Sequence, residues 1–138
     1  MSKVIRVVIN QEPVAKARPR VKLVAGKVWT FTPTKTQKAQ EFIKERLMHH
    51  IDKTFGKNVG LRLTATFWRT KSKYLPKRET LPFRKPDIIN FGSLLLDGMS
   101  TTIFNDDAQI TELRIRKRWT DKDYGYISLK LELDKGGD

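Results

Sequence analysis

With 138 residues and 38% hydrophobic content, the chain has room for one domain with its own core and not for two. Lys and Arg number 28 against 15 Asp and Glu, a formal charge of +13, and that excess points to a polyanionic partner, nucleic acid before membrane. The absence of cysteine excludes disulfides, thiol catalysis and thiolate zinc sites together, so any metal must be held by oxygen or by His49 and His50.

In chain order, VIRVVIN at 4–10 is short and β-branched, a strand running into a turn at Glu12-Pro13. VKLVAGKVWTF carries Ala25-Gly26 between two β-prone runs and predicts a hairpin. The period then changes. Ala39, Ile43, Leu47 and Ile51 recur every four residues, which predicts an amphipathic helix from near Thr34 to near Gly56. LRLTATFWRT at 61–70 alternates, with Leu61, Leu63, Ala65 and Phe67 on one face, and reads as a strand.

Residues 71–86 hold three prolines and six Lys or Arg against one Glu, a loop. From Asp87 to about Met99 the helical period returns, with Asn90, Ser93 and Asp97 on a narrow polar strip. Its apolar coverage exceeds what one sheet face needs, which suggests packing against a second copy of the protein. Two alternating strands close the chain. Arg114, Arg116 and Arg118 oppose Leu113 and Ile115 in the first, and Ile127, Leu129, Leu131 and Leu133 face inward in the second. The expectation is a single α+β domain over 1–138 with a mixed sheet and two main helices, ending in a disordered tail at 135–138.

No run approaches the ~20 apolar residues of a membrane span. The N-terminus lacks a signal-peptide core, so a cytoplasmic protein is expected. The adjacent His49 and His50 point about 100° apart on a helix and suit a shared ion poorly; they read as helix-end residues.

Positive charge concentrates at KARPR (16–20), at 69–85 and on the 114–118 arginine face. Each region alone is explained by a solvated surface, whereas three together in a small domain favour a polyanion that neutralises them. Trp29, Phe31, Trp68, Tyr74 and Phe83 lie beside these regions and fit either a core or base stacking.

Acid is scarce, so KPDIINF at 85–91 and NDDAQI at 105–110 stand out. Asp87 could cap the second helix by accepting the Asn90 N–H, and the pair Asp106-Asp107 could close a turn. The other reading joins them. Two or three carboxylates holding Mg²⁺ inside a basic surface suit phosphodiester cleavage, because the ion supplies a nucleophilic water and offsets charge on phosphate oxygens.

PVAKARPR followed by WTFTP, then KPDI-x-N, a helix containing LLLDGM, and NDDAQI leading into a basic strand together resemble the RusA family of Holliday-junction resolvases, over about residues 11–119. The resemblance implies a homodimeric, Mg²⁺-dependent endonuclease, bacterial or phage-borne, that nicks two opposed strands of a four-way DNA junction in recombination and repair, with Mn²⁺ a possible substitute. By position it implies Asp87, Asp106 and Asp107 as catalytic metal ligands and Asn90 as a catalytic residue. Phosphate would be gripped by Lys16, Arg18 and Arg20 and by Arg69, Lys71, Lys73, Arg84 and Lys85. Two positions depart from the pattern: Ile89 stands where the motif has a second aspartate, and Ser93 where it has a lysine. Lys85 and Lys71 are candidates to supply the missing charge. The alternative is a catalytically weakened or inactive relative that binds branched DNA or a protein partner without cutting.

Overall fold

The computed structural model describes residues 3–17, 20–31, 33–50 and 55–137, and the side chains of 20, 22 and 29–31 are set aside. Its elements are β1 (Val4–Ile9), β2 (Arg20–Val24), β3 (Lys27–Phe31), α1 (Thr34–Met48), β4 (Leu61–Arg69), α2 (Ile88–Met99), β5 (Ile110–Trp119) and β6 (Tyr126–Leu133). One four-stranded sheet runs β1-β6-β4-β5. β4 and β5 are parallel and the other pairs antiparallel, so the sheet is mixed and the fold α+β, as expected. A parallel pair needs a long crossover. Here it is the 70–86 loop followed by α2.

Both helices cover one face of this sheet. Ile5, Val7 and Ile9 of β1, Leu61, Leu63, Ala65 and Phe67 of β4, and Ile127, Leu129 and Leu131 of β6 meet Ala39, Ile43 and Leu47 of α1 and Phe91, Leu94, Leu95 and Met99 of α2. The two-residue alternation read from each strand therefore marks the inner face correctly. α1 ends at Met48, earlier than its apolar period suggested, with His49 as C-cap; Ile51 lies outside the described residues. The helices approach closely at Gly98, where an added Cβ would stand 2.9 Å from Ile43 Cβ.

Among the described residues, strands β2 and β3 pair only with each other. Ala25 and Gly26 both have positive φ, 51° and 77°, the conformation a two-residue hairpin turn requires. Val21 and Leu23 share a face with Val28, which pairs opposite Leu23, and all three are exposed. An isolated two-stranded ribbon is marginal in water. Residues 134–137 belong to no regular element, and Asp138 lies outside the described residues.

Candidate active site

The acidic residues fall at opposite ends of α2. Asp87 is its N-cap residue, yet the side chain makes no capping bond; Asn90 N donates to the Asp87 carbonyl at 3.0 Å instead. The anticipated cap is thus absent and the exposed carboxylate is free for other work. Lys117 of β5 faces it. The Lys117 ammonium donates to the carbonyls of Arg84 (2.9 Å) and Pro86 (2.8 Å), fixing the chain that leads into α2. Burial, then the Arg69 guanidinium, lower the Lys117 pKa, while Asp87 opposes both. Alternation places Lys117 with Leu113 and Ile115 on the inner face, and a cation on an apolar face was the signal available in sequence.

At the other end of α2 stand Asp97, Asp106 and Asp107. Asp106 opens a single 3-10 turn, Asp107–Gln109. Its Oδ1 accepts the Ala108 N–H at 3.0 Å, and Gln109 Oε1 accepts the Asp106 N–H at 3.2 Å. This capping box consumes Asp106 and leaves Asp107 free to face the helix end. Partial desolvation, then the like charges of Asp97 and Asp106, raise the Asp107 pKa, against a Ser100 hydrogen bond and Lys16, which lower it. Asp97 in turn takes Lys16 Nζ at 2.8 Å and Gln40 Nε2 at 3.3 Å. Between α2 and this turn, Thr101 adopts φ 65°, a left-handed conformation unfavourable for a β-branched residue.

Asp97 lies ten residues from Asp87, about 15 Å along the helix, and Lys117 lies seven residues from Ile110, about 23 Å along β5. Both rulers put Asp87 and Asp107 far apart within one chain. Among the described residues no three acid or histidine side chains gather as a metal-holding group. The paired carboxylates Asp97 and Asp107 nevertheless suit a hard cation, since Mg²⁺ is commonly held by one or two carboxylates with water and phosphate completing its shell.

A raised carboxyl pKa means that the fold favours the neutral acid. Asp107 adds stability below its ordinary value, near pH 4, and loses that contribution as pH rises through the raised one. In EDTA at pH 7, Asp107→Asn is therefore expected to melt at or above the wild-type temperature, with the difference closing on acidification. Added Mg²⁺ is expected to raise the wild-type Tm alone. A variant less stable than wild type at pH 7 would contradict this.

The basic candidates divide. Lys73 and Lys85 are exposed and make no ion pair among the described residues. Lys16 is paired with Asp97, and Arg84 with Glu79, Nε to Oε2 at 3.2 Å. Lys71 Nζ donates to the carbonyls of Glu79 (2.7 Å), Pro76 (2.8 Å) and Lys77 (3.4 Å), so it folds the loop and is unavailable to stand in for the lysine missing at Ser93. Arg69 rests 5.5 Å from the ring centres of both Phe91 and Trp119. Arg18 lies outside the described residues, and Arg20 opens β2.

The structure thus sets carboxylates at both ends of one helix in a strongly basic α+β domain. The chain belongs to the endodeoxyribonuclease RusA family, whose model matches residues 10–131. It is also similar to the uncharacterized protein YqaN of Bacillus subtilis (strain 168), 24% identical over 127 residues, covering 86% of this chain and 89% of that protein. No helix among the described residues is long and apolar enough to cross a membrane.

Proposed function

We propose that the protein is a homodimeric endonuclease, dependent on a divalent cation, that resolves four-way DNA junctions by paired nicks, and that each active centre is shared between two subunits. The observation that carries this reading is the separation of Asp87 from Asp107 by the length of α2. On that helix Ile89, Ser93 and Leu96 fall within about 60° of each other at 100° per residue; Ile89 points to solvent, and Leu96 packs in part against the core at the border of the stripe. Ile89 is 63% exposed, and Ser93 and Leu96 are half-buried. This small, apolar stripe suits packing on a twofold copy. With the helices antiparallel, the partner's Asp87 meets Asp97 and Asp107, and the arrangement repeats by symmetry.

Mg²⁺ or Mn²⁺ held there supplies an activated water and offsets phosphate charge. This chain's own residues prepare the place. Ser100 orients Asp107, Lys16 compensates Asp97 before a cation arrives, and Lys117 fixes the approach to Asp87. Lys73 and Lys85, exposed on the 70–86 loop, are free to meet phosphates of the junction arms. Two equivalent centres suit two equivalent strands.

A second reading is favoured by Ile89 and Ser93, which leave each centre one acid and one lysine short of the family pattern: a protein that binds branched DNA without cutting it. The assay is a labelled four-way junction incubated with Mg²⁺ or Mn²⁺. Symmetric paired nicks are expected; binding without nicks at any protein concentration would reject the nuclease and leave the second reading.

A further inference from the structure

Both helices pack on one face of the sheet, and among the described residues no helix covers the opposite face, whose composition is not that of an ordinary solvated surface. Cross-strand register sets the rows. At one end Glu132, Arg62 and Glu112 lie side by side, with Arg62 reaching Glu112 at 2.9 Å and Glu132 at 3.0 Å, while Arg114 and Lys130 of the next row also pair back to Glu112 and Glu132. In the next rows Arg6 stands beside Lys130, and Thr64 beside Arg114; then come Ser128, Thr66 and Arg116; and the last row is Tyr126, Trp68 and Arg118. Positive charge thus accumulates away from the acidic row. Arg6, Arg116 and Arg118 make no ion pair among the described residues.

The face has a hydroxyl floor and an aromatic step. Arg116 Nε donates to Thr66 Oγ1 at 2.9 Å, and Trp68 Nε1 to Ser128 Oγ at 3.1 Å, so both side chains are held in place. The Trp68 and Tyr126 rings stack with centroids 5.7 Å apart, Tyr124 leans on Tyr126 at 6.0 Å, and Lys122 lies over Tyr126 at 5.0 Å. Tyr124 remains 47% exposed. A shallow groove lined by Arg6, Thr64, Thr66, Arg116, Ser128 and Lys130 crosses the middle.

We propose that this uncovered face is a second nucleic-acid surface, separate from the acidic centres, which takes an extended single DNA strand. Arg114, Arg116 and Arg118 alternate along β5 at roughly 6.6 Å steps, close to the separation of neighbouring phosphates in one stretched strand. β5 is one of the two edges of the four-stranded sheet, where a backbone can lie along it. The phosphates run on the arginines, and the bases turn inward over the hydroxyl floor to the Tyr124–Tyr126–Trp68 step, where stacking accepts any base. A site for an acidic protein would need no such regular ladder and no aromatic end.

The test needs neither metal nor the acidic residues. A fluorescent thymidine oligonucleotide is titrated in EDTA against the full chain over a salt series, with Arg116→Ala/Arg118→Ala and, separately, Tyr124→Ala as variants whose folding is checked by Tm. The double variant is expected to bind at least tenfold more weakly and to lose about 1.4 from the log–log salt slope, the share of two single-strand phosphate contacts. Tyr124→Ala is expected to weaken binding about fivefold or more. Equal binding by wild type and double variant would overturn the proposal. So would more effective displacement by duplex DNA or by polyglutamate than by unlabelled single strand, which would make the face a duplex or a protein surface. Because the readout is metal-free, its failure leaves the junction assay untouched, and failure of the junction assay leaves this surface untouched.

Discussion

Asp107→Asn is expected to abolish paired nicking of a four-way junction, whereas Asp106→Asn is expected to change it by no more than about threefold. The two residues are adjacent and chemically alike, and their surroundings separate them. Asp106 spends a carboxylate oxygen on the Ala108 N–H and its own N–H on Gln109. Asparagine keeps an oxygen acceptor at an N-cap, so that turn survives the substitution. Asp107 instead carries a carboxyl pushed toward neutrality by desolvation and by Asp97 and Asp106, a strain that a divalent cation would relieve. Losing even an outer partner of a metal ligand costs roughly 10–100-fold, so losing a ligand is expected to cost more than about a hundredfold. Nicking rates of the two variants on one labelled junction decide the point, and equal losses would overturn the assignment.

Phe91→Ala is expected to produce the largest loss of stability among substitutions that touch no acid. Phe91 is 1% exposed and stacks on Phe67, with ring centroids 5.4 Å apart and planes 23° from parallel. The Arg69 guanidinium lies over the same ring at 5.5 Å. Removing a buried phenylalanine ring costs about 3–5 kcal/mol, a large part of the roughly 5–15 kcal/mol that holds a typical domain together. For a chain of this size the melting temperature is expected to fall by about 10 °C. Phe91 also seats the first turn of α2 on β4, so residual nicking at low temperature is expected to fall further than the folded fraction does. A Tm within about 2 °C of wild type would show that the helix is anchored elsewhere.

Much of the fold was legible because burial imposes its period on the chain. Leu61, Leu63, Ala65 and Phe67 alternate and point inward, and Ala-Gly between two β-prone runs became a two-residue turn with both φ positive. Where periodicity was the only guide, it overran: Ile51 continued the pattern of α1, but the helix stops at Met48. The candidate site's residues stand out in the sequence by type, whereas their arrangement does not. Sequence picked out Asp87, Asp106 and Asp107 by residue type, yet it could not show that Asp106 is occupied by its own turn, since capping depends on backbone torsions. Nor could it show that Asp97, about 15 Å from Asp87 along α2, neighbours Asp107, because the 100–106 connection doubles back across the helix end. Lys117 went unrecognised among the arginines of β5 although its register sets it apart on the inner face. Lys71, read as a phosphate contact, is held by three carbonyls of its own loop.

The proposed sharing of each centre between two subunits is tested most directly by mixing. Asp87→Asn and Asp107→Asn homodimers, each inactive alone, are combined, allowed to exchange subunits and assayed on a labelled junction with Mg²⁺. If Asp87 of one chain serves Asp107 of the other, a mixed dimer holds one doubly damaged centre and one intact centre, and single, unpaired nicks return. If each chain built its own centre, both centres of the mixed dimer would be damaged, and the mixture would stay as inactive as its components.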